Sequence, residues 1–383
     1  MKRVLFYNDV GGFGGHEVMA LTLMRELAAL GCAVHSMASV TNRVYWAEQA
    51  KISGVVGHQV PFRLHRYNYL TNHIDFPKIN QLRCLLRQLA PDCVVAVQGC
   101  MEISSLILPA AKREGVPLVT YIALAQTMRA LGVRHGMLRD FLARRLLAIP
   151  DRFVTIGMSQ QNHLSDRGVA LERIGIVPNV VKDIAPGSTD RKVARAQLEL
   201  DPEPFTVGLV GRVVAAHKGH ELLLATVSAH REQLASFRFV VVGDGPDRQR
   251  LQRQVKFLEL EPVIRFLDWS TDMARIYSAL DAVVMPSYHE GVPLVMIEAI
   301  LNGLPVIASA IDGMKDHLPP EWLFPCGDAP QLASRLSFVA TVEQRESLSR
   351  VRTEFERLFL RTTIGQEFLE QLELAERFRG QHP

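Results

Sequence analysis

Short apolar runs of strand length recur along the whole chain with helical patterns between them, and few architectures accept that alternation. The first series is RVLFYN at 3–8, AVHSMASV at 33–40, DCVVAVQ at 92–98, PLVTYIA at 117–123 and RFVTIG at 152–157. The second is FTVGLVG at 205–211, FRFVVVG at 237–243, VIRFLDW at 263–269, AVVMPS at 282–287 and PVIASA at 305–310. Near-continuous apolar runs suit strands buried on both faces, and their alternation with helices predicts parallel sheets covered by helices. The run at 3–8 leads into GGFGG at 11–15 and a helical pattern from His16 to Leu30, with Gly31 placed as a C-terminal cap. Between the two series, PNVVKDIAPGSTDRK at 178–192 has the prolines, glycine and mixed polarity of a linker. The expectation is an α/β protein with two parallel-sheet domains facing across a cleft, where strand carboxyl ends and helix N-termini meet a ligand.

Composition narrows the classes further. At 383 residues the chain exceeds a usual single core, and 48% hydrophobic with 22% charged residues is ordinary for a globular protein. Its five cysteines are odd in number and contain no C-x-x-C pair, which suggests free thiols in a reducing cytoplasm. The apolar run after MKR is too short for a signal peptide, and no stretch reaches the length of a membrane span, so attachment to a membrane would be peripheral, on the inner face of the cytoplasmic membrane. The net charge of +3 hides an asymmetry: residues 1–180 carry 20 basic against 12 acidic side chains, or +8, and residues 181–383 carry 23 against 28, or −5. A basic half can meet the phosphates of a lipid, a nucleic acid or a nucleotide, and charge alone does not choose among them.

Three segments carry groups with a chemical use. GLVGRVVAAHKGHELLL, from Gly208, places Arg212 just past a strand and Lys218 just before a helix. Both cations then leave a sheet's carboxyl edge beside helix N-terminal amides, which suits a diphosphate; solvated surface charges are the plainer alternative. VVGDGPDRQRL at 241–251 ends a strand in a tight turn that glycine and proline form with or without a ligand. HEGVPLVMIEAILNGLPVIAS at 289–309 sets Glu290 and Glu298 eight positions apart in an apolar stretch. A carboxylate buried without a partner is strongly unfavourable, so each has either a protein partner, such as a core salt bridge, or a ligand. Glu290 falls in a strand-to-helix loop. Glu298 falls inside the helix that Pro293 starts, beside a core stripe of Leu294, Ile297 and Leu301, where it suits the paired hydroxyls of a ribose.

Taken in order, GRVVAAHKG, VVGDGPDRQRL, IRFLDW and YSALDAVVMPSYHEGVPLVMIEAILNGLPVIAS resemble the second half of the family 4 retaining glycosyltransferases, nucleotide-sugar enzymes of the GT-B fold. GGFGGHEVMALTLMRELAALG, TIGMSQQNHL and IGIVPNVV are similar to the first half. The most specific element is the ordered set Arg212, Lys218, Glu290 and Glu298, with seven residues between the glutamates. The resemblance implies Rossmann-like domains at 1–182 and 183–364, with a helix at 365–383 crossing back to the first. It implies transfer of a hexose, with retention, from a nucleotide-diphosphate sugar to a saccharide, lipid-linked or other glycoconjugate acceptor in cell-surface polysaccharide or glycolipid synthesis. Arg212 and Lys218 would hold the diphosphate and act in catalysis with Glu290, which sits at the donor sugar. Gly14 and Gly15 would bring first-domain backbone to the phosphates, and Glu298 would bind the ribose. Main-chain groups at Phe266 and Leu267 would meet the base, and Gly291 and Val292 would complete the donor site. Cations and amides fixed in advance stabilise the negative charge that grows on a departing diphosphate. No cofactor is implied, the nucleotide sugar being a substrate, and no D-x-D or histidine cluster suggests a metal. One departure stands out. Many relatives carry a histidine near the donor sugar at the end of the strand matching PLVTYIALAQ; this chain has Ala123 there, with Tyr121 and Gln126 as candidate substitutes.

The acceptor side is less legible. MRALGVRHGMLRDFLARRLLAI at 128–149 sets Arg129, Arg134, Arg139, Arg144 and Arg145 against Asp140, with an apolar stripe of Met137, Leu138, Phe141, Leu142, Leu146 and Leu147. Such a helix either lies on an anionic membrane surface or packs on a core with a solvated basic face. A second basic stretch runs from Arg63 to Arg87. Competing functions fit less well. GGFGG is not the G-x-G-x-x-G of a nicotinamide dehydrogenase, AVHSMASV lacks the acid that would hold its ribose, and too few aromatics accompany the basic residues for nucleic-acid binding. An epimerase of the same fold would lack this pair of glutamates, and a non-catalytic nucleotide-sugar-binding partner subunit of GT-B fold remains the alternative.

Overall fold

The computed structural model describes residues 1–62, 75–182, 189–341 and 344–381. The chain divides into two units, one of Met1–Asn179 with Arg361–Pro383 and one of Val180–Leu360. The first crossing falls inside the linker that composition marks at 178–192, and both fall a few residues earlier than the boundaries the resemblance implies. The Val181 N–H donates to the Phe359 carbonyl at 3.1 Å, tying the two ends of the second unit together there.

The first unit holds a seven-stranded sheet of β1 (Arg3–Asn8), β2 (Ala33–Ser39), β3 (Val55–Val60), β4 (Cys93–Gln98), β5 (Leu118–Ile122), β6 (Arg152–Thr155) and β7 (Ile174–Ile176). Its order is β3-β2-β1-β4-β5-β6-β7, with every neighbouring pair parallel. All residues of β4 and β5 are buried, as their largely apolar runs lead one to expect, whereas β3 is largely exposed at the sheet edge. The C-terminal helix Ile364–Gln381 packs within this unit: Phe368 stacks 6.0 Å from Phe6, Lys2 pairs with Glu376 at 3.0 Å, and Arg152 Nε donates to Gln371 Oε1 at 2.6 Å.

The second unit's sheet consists of β8 (Phe205–Val210), β9 (Phe237–Val242), β10 (Ile264–Leu267), β11 (Ala282–Met285), β12 (Val306–Ser309) and β13 (Leu323–Phe324). The order β10-β9-β8-β11-β12-β13 is again parallel throughout. In each sheet the strand order reverses once, at β1/β4 and at β8/β11. The amino ends of β8 and β11 are fastened by a buried ionic network. Arg195, 1% exposed, donates to Asp281 Oδ2 at 2.6 Å, to the Ala279 carbonyl at 2.9 Å and to the Pro202 carbonyl at 2.6 Å, and the Thr206 N–H donates to the same Asp281 oxygen at 2.7 Å. Among the described residues no helix is long and apolar enough to cross a membrane. Residues 63–74 of the second basic stretch, and 183–188 of the linker, lie outside the described residues.

Candidate active site

In an open parallel sheet, ligands bind outside the strand carboxyl ends where the strand order reverses. In the second unit that place lies between β8 and β11, and the sequence sends Arg212 and Lys218 from one strand and Glu290 from the other. Gly219 makes their meeting possible. Its φ is +66°, and a Cβ there would stand 1.8 Å from the Pro286 carbonyl oxygen, so any side chain would push the Lys218 segment off the loop after β11. Lys218 Nζ donates to Glu290 Oε1 at 2.5 Å, and the Ser287 hydroxyl donates to the same oxygen at 2.9 Å. The Tyr288 N–H adds a bond to the His217 carbonyl at 2.8 Å. Arg212 is exposed, with no side-chain partner among the described residues. Two cations and a carboxylate thus converge on one strand reversal, with a guanidinium left over for an anion.

Glu298 lies in the helix Leu294–Leu301, and its partner is a tyrosine. The Tyr277 hydroxyl, from the helix Met273–Ala279, donates to Glu298 Oε2 at 2.6 Å. Among the described residues no cation stands within ion-pair distance of Glu298, so a core salt bridge is not the arrangement. Burial pushes its carboxyl above the usual carboxylate range, and the tyrosine hydrogen bond works against that rise. Glu290 does have an ionic partner, which is the candidate phosphate-binding lysine itself.

The remaining predicted positions lie on several elements of the two units. Phe266 and Leu267 end β10 at the sheet edge, where the Leu267 carbonyl accepts from the Gly243 N–H at 3.2 Å and from Arg248 Nη1 at 2.8 Å. The Gly291 carbonyl accepts from the Gly313 N–H at 3.1 Å, and Val292 is buried. The Gly-Asp-Gly-Pro turn is filled by the chain's own backbone, since a Cβ on Gly243 would lie 2.1 Å from the Gly211 carbonyl oxygen. Gly14 and Gly15 belong to the first unit, at the start of the helix Gly15–Ala29 and beside the β1/β4 reversal.

Around that glycine loop the structure gathers polar groups that sequence reasoning did not single out. Glu17, fully buried, accepts from the Gly14 N–H at 2.8 Å and from Asn8 Nδ2 at 3.3 Å, and its other contact is His16 Nε2 at 2.7 Å. The His16 ring covers Gly99, the residue after β4, where a Cβ would come within 2.9 Å of the ring. Asp9, also buried, accepts from the Ser104 N–H at 3.0 Å and from the Tyr7 hydroxyl at 3.4 Å, and burial pushes its carboxyl up to about 6. The signal was present in NDVGGFGGHE, where a glutamate three residues after Gly14 is the reaching half of a capping pattern. At the strand end where the histidine is missing, the Ala123 N–H donates to the Gln98 carbonyl at 3.1 Å. Tyr121 is buried and donates to Asn179 Oδ1 at 3.3 Å, which makes it a packing residue, and Gln126 is buried as well.

The family model of the glycosyl transferases group 1 matches residues 204–341, and that of Glycosyltransferase Family 4 matches residues 13–183. The chain belongs to this glycosyltransferase family. It is therefore a transferase enzyme, and each match covers the core of one structural unit. A glycosyltransferase of Haemophilus influenzae is 24% identical over 80% of this chain and 80% of its own. The D-inositol 3-phosphate glycosyltransferase of Rhodococcus opacus is 32% identical over 54% of this chain, which spans 49% of that relative's length. The solved structure of Anabaena HepE in complex with UDP-glucose has a TM-score of 0.80 at 19% identity, covering 97% of this chain and all of that one, a likeness that shows the GT-B fold.

Proposed function

We propose that this glycosyltransferase moves a hexose, with retention of configuration, from a nucleotide-diphosphate sugar to a saccharide or lipid-linked acceptor, in the synthesis of a cell-surface polysaccharide or glycolipid. The observation that carries the reading is the Lys218–Glu290 pair beside the unpaired Arg212 at the β8/β11 reversal. The UDP-glucose bound by a structural neighbour supports the donor class. As the sugar–phosphate bond breaks, charge grows on the diphosphate, and Arg212 and Lys218 are the groups that neutralise it without a divalent metal. The acceptor's proton leaves with the phosphate oxygen in a front-face attack, so Glu290 orients the sugar and need not form a covalent bond. Glu298 accepts from the ribose hydroxyls.

Calorimetry with UDP-, GDP-, ADP- and dTDP-sugars in EDTA tests this. One nucleotide should bind and its sugar be slowly released. Arg212→Ala and Glu298→Ala should each weaken that binding about tenfold, the scale of one charge-assisted hydrogen bond. Unchanged affinity in both variants would remove the donor-site assignment.

The proposed membrane partner rests on the helix Gly136–Leu147 in an amended form. Leu146 and Leu147 face the core, while Met137, Leu138 and Phe141 are 70%, 50% and 63% exposed beside exposed Arg134, Arg144 and Arg145. Arg139 leaves the set: its Nε donates to the buried Glu102 at 2.8 Å, which consumes its charge internally. The surface that remains suits an anionic lipid headgroup layer. The triple variant Arg134→Ala/Arg144→Ala/Arg145→Ala should bind phosphatidylglycerol vesicles about a hundredfold more weakly, at ~1 kcal/mol per arginine. Equal sedimentation of wild type and variant with the vesicles would dismiss the membrane.

A further inference from the structure

Tyr277 is 2% exposed, and its hydroxyl donates at 2.6 Å to one oxygen of Glu298. Burial and the neighbouring carboxylate drive the ionisation of this phenol far upward, so in this pair the phenol is the donor and the Glu298 carboxylate the acceptor. Oε1, the second carboxylate oxygen, has no hydrogen-bond partner among the described residues. A glutamate side chain turns freely about its terminal bond, and a carboxylate held at one oxygen loses that freedom while keeping the other oxygen's lone pairs unused.

We propose that Tyr277 is a positioning residue of the donor site, fixing the Glu298 carboxylate so that its free oxygen faces the adjacent hydroxyls of the donor's ribose. The inference rests on the assignment of Glu298 to the ribose made above. Tyr277 touches no substrate; its effect passes entirely through Glu298. Desolvation and the Tyr277 hydroxyl are the influences acting on that carboxyl, the first raising its pKa and the second lowering it. Protonation turns the accepting oxygen into a donor, so ribose binding is lost as the pH falls through the Glu298 pKa, and removing the hydroxyl of Tyr277 moves that loss to higher pH.

The test compares wild type with Tyr277→Phe, using UDP and 2′,3′-dideoxy-UDP, or the guanine pair where the donor panel selects GDP. Tyr277→Phe should raise the Kd of the ribonucleotide and the KM of the donor about tenfold while leaving kcat within twofold. It should leave the dideoxy ligand's Kd unchanged, and shift the acidic loss of ribonucleotide binding upward in pH. Equal weakening of both ligands with an unmoved pH profile would reduce Tyr277 to a packing residue and overturn the proposal. Should the phenylalanine variant fail to melt cooperatively, Tyr277→Leu enters the same comparison with the same two outcomes. Glu298→Ala separates the layers. If it leaves ribonucleotide affinity intact, the ribose assignment itself is wrong; if it weakens binding and Tyr277→Phe does not, only the positioning role falls.

Discussion

Lys218→Ala is expected to lower kcat/KM for the nucleotide-sugar donor by about 10²- to 10³-fold, the scale on which removal of one preorganised donor to a developing oxyanion acts. The substitution does two things at once. It deletes a cation from the proposed diphosphate site, and it strips Glu290 of its ionic partner at 2.5 Å, leaving a half-buried carboxylate with, among the described residues, the Ser287 hydroxyl as its hydrogen-bond donor. On the proposed reading, that carboxylate then repels the donor's diphosphate. Adding Glu290→Gln to Lys218→Ala should therefore recover part of the loss in donor affinity while kcat stays low. Steady-state kinetics on the single and double variants read both numbers. A double variant that binds donor no better than Lys218→Ala would mean that the ion pair has no bearing on the diphosphate.

The second large effect is on stability. Arg195→Ala removes a buried guanidinium that satisfies Asp281 and the carbonyls of Ala279 and Pro202. Breaking a buried pair on one side costs about 3–5 kcal/mol, because the remaining charge and carbonyls stay desolvated. Arg191 Nη1, 2.7 Å from Asp281 Oδ1 but half exposed, compensates only in part. For a unit of this size the loss corresponds to a fall in melting temperature of roughly 10 °C or more. Scanning calorimetry should place the fall in the transition of the second unit. Below that transition donor binding should be normal, since Arg195 lies at the amino ends of β8 and β11 and the candidate site at their carboxyl ends. A melting temperature within about 2 °C of wild type would show that Asp281 is solvated on its own.

Much of the architecture could be read from hydropathy, because a strand buried on both faces has to be apolar at most of its positions. β4, β5, β9, β11 and β12 announce themselves in this way. β3, β7 and β13 do not, since they are edge strands, exposed or only two or three residues long, and backbone pairing to a neighbour defines them with little demand on side chains. The division of the helix Gly136–Leu147 into a core-facing leucine pair and an exposed apolar group was equally out of reach. Periodicity finds the stripe; it does not say which part of it meets protein.

For the candidate site the sequence alone determined the residue types and their order: two cations after one strand, two carboxylates after another, and glycines where the backbone has to turn. Pairing was decided by the tertiary structure. The β8/β11 reversal and the bare backbone of Gly219 bring Lys218 to Glu290 across seventy-odd residues of chain, while the packing of two helices gives Glu298 a tyrosine hydroxyl in place of a cation. Local composition records which side chains tolerate burial or exposure. Which ones end within hydrogen-bonding distance depends on strand order and on backbone approach, properties that arise only when distant segments share one sheet.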